Sequence, residues 1–231
     1  MPEDYILIYD SGNGGQYVLQ IFKKLMPNEN YLLFKDIKHC PYGNKTKREL
    51  ESIFFSNIAK LNNKYNIKVI VIACNTMSSM FGERLKRHKN LPKVFLVLPI
   101  INKTILQSKT LLLATENTCK YNLSIIKNNI NKNLYILPLP SFAKEIDDNL
   151  SNALKLKERV NAILEPYKTC HIKNVILGCT HYNYIKKHIE DSLGEVQFWE
   201  KSEIVAKEVS QYLRKYDLSS SAKKFIELYE I

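Results

Sequence analysis

Two cysteines hold equivalent places in the 231-residue chain. Cys74 follows Val69-Ile70-Val71-Ile72-Ala73, and Cys179 follows Val175-Ile176-Leu177-Gly178. Short apolar runs with β-branched residues, bounded by turn-forming ones, read as buried strands. Each thiol therefore belongs at the C-terminal edge of a strand, where open α/β sheets bind ligands. A helix start just beyond it offers free N–H groups and a positive dipole end, which favour a thiolate. Each cysteine is followed within two residues by a hydroxyl, Thr76 or Thr180, and His181 lies two residues past Cys179. A Cys/His pair suits covalent acyl transfer, and it equally suits acid/base work. Two thiols on opposite faces of a substrate carbon suit racemase or epimerase chemistry. One, as thiolate, takes a proton from one face, and the other, as thiol, delivers one to the opposite face. Each needs a neighbour that moves its pKa toward the working pH, and Asp10 and His181 are the candidates. Cys40, Cys119 and Cys170 read as small core hydrophobes.

The elements that must position these groups alternate along the chain. Strands are expected at Tyr5–Tyr9, Tyr31–Phe34, Val69–Ala73, Val94–Val97, Thr110–Ala114, Tyr135–Leu137, Val175–Gly178 and Val196–Trp199. Helices are expected from about Val18 to Leu25, Thr46 to Asn63, Thr76 to Arg87, Pro99 to Gln107, Thr118 to Asn129, Ala153 to Tyr167, Tyr184 to Ser192 and Ser202 to Tyr216. A last short helix is expected from Ser221. Strands alternating with helices imply a parallel α/β fold. The first strand runs into Asp10-Ser11-Gly12-Asn13-Gly14-Gly15. This turn lacks both the P-loop lysine and the dinucleotide fingerprint, and Asp10 there reads as a ligand-facing carboxylate or as a helix cap. Pro41-Tyr42-Gly43 is a stiff turn that can set a ring and backbone N–H groups over a pocket. A second lobe begins near Leu98-Pro99. The thiols are 105 residues apart, nearly half the chain, which fits two similar lobes facing each other across a cleft.

Composition bounds the class. Hydrophobic residues make up 45% and charged residues 25%, as in globular proteins. No apolar run is long enough for a membrane span, Met1-Pro2-Glu3-Asp4 does not open a secretion signal, and a cytoplasmic protein is expected. Five scattered cysteines argue against a disulfide framework, and no pair has metal-ligand spacing. The net charge of +11 is compatible with nucleic-acid binding or with attraction of anionic substrates, but the lysines are dispersed rather than clustered.

Taken together, Tyr9-Asp10-Ser11-Gly12-Asn13-Gly14-Gly15, Pro41-Tyr42-Gly43-Asn44-Lys45-Thr46, Ala73-Cys74-Asn75-Thr76, Ala114-Thr115 and Leu177-Gly178-Cys179-Thr180-His181-Tyr182 resemble the glutamate racemases, within the cofactor-independent aspartate/glutamate racemase group. The resemblance covers nearly the whole chain. His181 after Cys-Thr matches the glutamate branch, since aspartate racemases usually carry Glu there. It implies two parallel-sheet α/β lobes across an active-site cleft: residues 1–97 plus about 205–231 carrying Asp10 and Cys74, and 98–204 carrying Cys179 and His181. It implies L-/D-glutamate as substrate, no cofactor and no metal, a homodimer, no membrane association, and D-glutamate destined for peptidoglycan. It implies Cys74 and Cys179 as the two bases, Asp10 assisting Cys74, His181 assisting Cys179, and Glu145 as a carboxylate near the second thiol. Ser11, Tyr42, Gly43, Asn75, Thr76, Thr118, Thr180, Asp10 and His181 would hold the substrate. Alternatives are a racemase of aspartate or another amino acid, and a catalytically weak relative acting as a basic nucleic-acid- or protein-binding module, for which contact with DNA gyrase is a family precedent. The chain departs from the family pattern at Lys35-Asp36-Ile37-Lys38-His39-Cys40, where Gly-Asp-Thr-Ala-Arg is usual. It departs again at Tyr121, where Ser is usual, and at Leu137, where Cys is usual.

Overall fold

The computed structural model describes residues 4–122, 132–220 and 223–229. Two all-parallel sheets carry the chain. The first contains β1 (Asp4–Asp10), β2 (Tyr31–Lys35), β3 (Asn66–Ile72), β4 (Lys93–Leu96) and β9 (Phe225–Leu228), in the order β4-β3-β1-β2-β9. The second contains β5 (Thr110–Ala114), β6 (Leu134–Pro138), β7 (Asn174–Gly178) and β8 (Gln197–Trp199), in the order β6-β5-β7-β8. The helices are α1 (Gly14–Leu25), α2 (Lys47–Asn62), α3 (Asn75–Lys86), α4 (Glu116–Tyr121), α5 (Phe142–Asp148), α6 (Ala153–Leu164), α7 (Lys186–Leu193) and α8 (Ser202–Lys215).

Alternation along β1 explains why its run is apolar throughout. Leu7 and Tyr9 face a core built with Leu50, Phe54 and Leu61 of α2 and Met77 and Phe81 of α3. Ile6 and Ile8 face the opposite core, with Val18, Leu19 and Phe22 of α1 and Val205, Val209 and Leu213 of α8. A parallel strand covered on both faces has no solvent side to leave polar. In the second sheet, Leu113 and Leu177 pack on Phe142, Ile146, Val160 and Ile189, while Leu112 and Ile176 meet Ile105 and Cys119 behind them. Each fully buried side chain of this kind contributes about 1.5–3 kcal/mol. The cores therefore hold rigid the strand ends from which the candidate residues project. Helix α2 starts where the sequence requires it: Thr46 and Glu49 form a reciprocal capping box, with Thr46 N donating to Glu49 Oε2 at 2.7 Å.

Several expectations are corrected. Pro99–Gln107 is not an α-helix, and only Ile105–Gln107 makes a single tight 3-10 turn. The Pro-rich stretch Pro138-Leu139-Pro140 reads in the sequence as a turn leading to Glu145, but Phe142–Asp148 forms α5, with Ser141 at its cap in the left-handed region (φ 63°). A 3-10 segment, Thr180–Ile185, precedes α7, so that helix begins later than apolar spacing alone indicates. In place of a final helix, β9 pairs in parallel with β2. Its Phe-Ile-Glu-Leu core is too short to establish a helical period, and the open edge of β2 offers it hydrogen bonds. The expected continuation from α4 to Asn129, and the start at Ser221, lie outside the described residues.

The connector to β9 is pinned by a buried ion pair. Lys68 Nζ reaches Glu29 Oε2 at 2.6 Å, the Leu218 carbonyl at 2.7 Å and Ser220 Oγ at 2.8 Å, and Ser220 N donates to Glu29 Oε1 at 3.0 Å. Both side chains are almost fully buried. Lys68→Met leaves Glu29 without its cation, a change that costs about 3–5 kcal/mol when the pair is buried. Urea denaturation should show a loss of that order, and a loss below about 1 kcal/mol would mean that Glu29 finds another partner.

Candidate active site

Four strand ends converge. Asp10 is the last residue of β1, Cys74 caps α3 just after β3, Thr115 caps α4 just after β5, and Cys179 follows β7 directly. Cys74 and Cys179 line one cleft with Ser11, Tyr42, Gly43, Asn75, Thr76, Thr115 and Thr180. The cleft is closed: about 10 Å³ remains open to water, room for a single molecule at most.

The approach of the two lobes depends on glycine. A Cβ on Gly14 would stand 2.1 Å from Thr180 Oγ1 and 2.9 Å from His181 Nδ1; one on Gly12 would stand 2.9 Å from both His181 Nε2 and Asp147 Oδ2. Only a bare backbone lets the loop after β1 lie against the Cys-Thr-His turn.

Around the first thiol, Ser11 Oγ donates to Cys74 Sγ at 3.6 Å. Burial, reinforced by the charge on Asp10, pushes the Cys74 thiol well above its usual range, against a pull from the Met77 N–H and the Ser11 hydroxyl. Asp10 does not bond Cys74. Its carboxylate accepts the Gly12 N–H at 2.9 Å and the Thr180 hydroxyl at 3.2 Å, so it ties the loop after β1 to the turn after β7. Burial raises Asp10 to about 6, although His181, the Gly12 N–H and Thr180 all favour its charge.

Around the second thiol, His181 Nδ1 lies 3.7 Å from Cys179 Sγ, and Nε2 lies 3.0 Å from Asp147 Oδ2. Burial lowers the imidazole, but Asp147, Cys179 and Asp10 outweigh it and hold His181 well above its ordinary value. Asp147 in turn is held below the usual carboxylate range: burial raises it, and His181 and Asn13 more than offset that. The ring thus stands between a carboxylate and a thiol, with Nδ1 toward the sulfur and Nε2 toward Asp147, and the Gly14 N–H also points at Nε2 from 3.3 Å.

Asp147 takes the place in which Glu145 was expected. Glu145 points out of the cleft to Arg159, with Oε2 accepting from Nε at 2.8 Å, and its side chain is 40% exposed. Both acids sit on α5, two residues apart and so on different faces of the helix. The family spacing selects Glu145, and only the helix, which the sequence reading did not foresee, reveals that Asp147 turns inward. Thr115 was also missed as a site residue. Thr76 Oγ1 lies 2.9 Å from Thr115 Oγ1 and 3.3 Å from Thr118 Oγ1, and Thr115 donates to Thr118 at 2.8 Å. Thr76 and Thr115 line the cleft, whereas Thr118, Asp10 and His181 stand behind the lining residues. Tyr42 presents its ring, but its hydroxyl turns away to Asp36 Oδ2 at 2.5 Å and Tyr9 OH at 3.1 Å. Asn75 lines the cleft while its amide donates to the Val97 carbonyl at 3.0 Å.

No family model matches the chain. A glutamate racemase of Clostridium perfringens (strain SM101 / Type A) is 33% identical over 224 residues, spanning 94% of this chain and 85% of the relative. The chain belongs to the glutamate racemase family. Solved glutamate racemases share its two-sheet fold. The Francisella tularensis enzyme, in complex with D-glutamate, aligns with a TM-score of 0.78 at 25% identity over all of this chain and 89% of the other. The Escherichia coli enzyme, in complex with L-glutamate and an activator, aligns with a TM-score of 0.80 at 21% identity over the full length of both, a likeness of fold. Like its relatives, the chain is an isomerase.

Two outcomes follow for this racemase site. Gly14→Ala should lower kcat/KM by about 100-fold or more, because the Thr180 and His181 turn must shift by roughly an ångström to admit the methyl; near-normal turnover would show that the loops yield freely. Asp10 binds a proton more tightly in the folded chain than in the unfolded one, where its value is 3.8. Its contribution to stability is therefore present below pH 3.8 and lost as pH rises through about 6. Asp10→Asn should accordingly raise the thermal midpoint at neutral pH and leave it unchanged under acid conditions, while impairing activity; a midpoint raised equally at both pH values would refute the shift.

Proposed function

We propose that this chain interconverts L- and D-glutamate by carrying the α-proton between Cys74 and Cys179, with neither thiol acting as a covalent nucleophile. The observation that carries the reading is that both thiols line one closed cleft, each with an oriented partner: Ser11 on Cys74, and His181 with Asp147 behind it on Cys179. In one direction, one thiolate accepts the α-proton and the carbon keeps the electron pair. The opposite thiol then gives its proton to the other face, and the two sulfurs exchange protonation state. The carbanion is short-lived and needs fixed dipoles around it, which the hydroxyls of Ser11, Thr76, Thr115 and Thr180 and the strand-end N–H groups supply in a water-poor space. The same groups suit the two carboxylates of glutamate. Because the cleft leaves almost no room, binding requires the two lobes to part and close again.

In this reading, residues 1–97 with the segment from about 205 form one lobe, and 98–204 form the other. Support comes from α8 packing on α1 and from β9 joining the first sheet. A homodimer, a cytoplasmic location and use of D-glutamate in peptidoglycan rest on family membership. Among the described residues no helix is long and apolar enough to cross a membrane. The surface lysines that pair with an acid one turn away, such as Lys144 with Asp148 and Lys207 with Glu203, fit a solvated face better than a nucleic-acid track.

The test is proton NMR of L-glutamate in D₂O with purified protein, followed by assay for D-glutamate. Loss of the α-proton signal with D-glutamate appearing is expected, and Cys74→Ser or Cys179→Ser should each cut racemisation by at least about 1,000-fold. Washout with aspartate but not glutamate would reassign the substrate. Full activity in both serine variants would refute the two-thiol mechanism.

A further inference from the structure

Asn13 occupies the N-cap of α1, yet its side chain caps nothing. An N-cap asparagine ordinarily accepts an N–H from the first turn. Here Oδ1 instead accepts a hydrogen bond from Lys35 Nζ at 3.2 Å. The rest of Asn13 faces the second half-site: its N–H donates to Asp147 Oδ2 at 3.4 Å, and its carbonyl accepts the Tyr184 hydroxyl at 2.8 Å. Asp147 is the carboxylate that holds His181 against Cys179.

Lys35 is the last residue of β2, and its side chain is 6% exposed. A buried ammonium is expensive unless it is paired. Its partner is the Glu227 carboxylate on β9, to which Tyr229 adds a ring 5.1 Å from Nζ. β9 lies on β2 in register, Leu33 beside Glu227 and Phe34 beside Leu228, so the acid is delivered by the strand added at the sheet edge. Lys35 also falls in the stretch where the chain departs from the family pattern.

We propose that Lys35, held by Glu227, is a positioning residue for the second thiol: through Asn13 it fixes Asp147, and through Asp147 it fixes the His181 proton on Cys179. The inference rests on the reading of Cys179 as an acid–base group. With Lys35 gone, the Asn13 side chain is free to cap α1 in the ordinary way, its N–H leaves Asp147, and the imidazolium loses its anchor. Cys74, with partners on the other side of the cleft, should not notice.

The test is alkylation of the full-length chain by iodoacetamide at neutral pH, with Cys179 and Cys74 quantified separately by peptide mass spectrometry. Lys35→Met should slow Cys179 about fivefold and leave Cys74 within about twofold, since the thiolate is the reacting form. Glu227→Gln should act in the same direction more weakly, and it carries the test if Lys35→Met does not fold. Lys35→Arg should restore most of the rate. In an Asn13→Ala background, Lys35→Met should add nothing, because the two changes break one path. In glutamate turnover the loss should fall on kcat with KM held. Equal slowing at both thiols, no slowing at either, or additive effects with Asn13→Ala would each overturn the proposal. A wild type that fails to racemise glutamate would remove the functional reading, while the alkylation pattern would still decide the pair.

Discussion

A hydrogen bond between Thr180 and Asp10, closed at 3.2 Å, joins the two half-sites, and much of the site geometry depends on it. It requires a strand end of one sheet to touch a turn of the other with no side chain between them, which Gly12 and Gly14 provide. It also requires a carboxylate with no exposed surface, a cost that His181, the Gly12 N–H and Thr180 offset only in part. Asp10 is therefore less a private helper of Cys74 than a rivet between lobes, its charge acting on Cys74 on one side and on His181 on the other.

The electrostatics are arranged as a mutually compensating set. Asp10 and Asp147 favour the charged imidazole, and the imidazole favours both carboxylates. Removing one member leaves the others buried and uncompensated, so effects of substitution here will not be additive. Cys74 lies outside this compensation, with burial and Asp10 both opposing its thiolate. The half-sites are thus alike in fold position and unlike in charge: one thiol has a cation beside it and the other a hydroxyl. A bound amino acid would bring its own ammonium group, the one cation the Cys74 side otherwise lacks.

The fold was legible because each strand up to β8 contains a short apolar run, longest in the central strands that are covered on both faces. The thiols and their hydroxyl neighbours were legible for the same reason, since they follow those runs directly. What escaped was set by helix phase. Whether Glu145 or Asp147 faces the thiol depends on where α5 begins, and that start uses Ser141 at positive φ, which no composition rule flags. Thr115 was visible in a motif, but its place beside Thr76 arises only when the sheets meet. β9 is short, polar in part and paired only at the edge, so its four residues could equally be read as a helix start.

The closed cleft has a consequence for how the enzyme rests between turnovers. In the proposed two-thiol reaction each passage leaves the proton on the other sulfur, so the free protein would exist in two isomers that differ only in which thiol is protonated. Restoring the starting isomer requires a proton to travel between the sulfurs, and about 10 Å³ of open space offers no continuous water file to carry it. That reset must pass through bulk solvent when the lobes part, or through a molecule of the opposite enantiomer running the reaction backwards. The close packing that shields the carbanion thereby ties recovery of the enzyme to the same opening that releases its product.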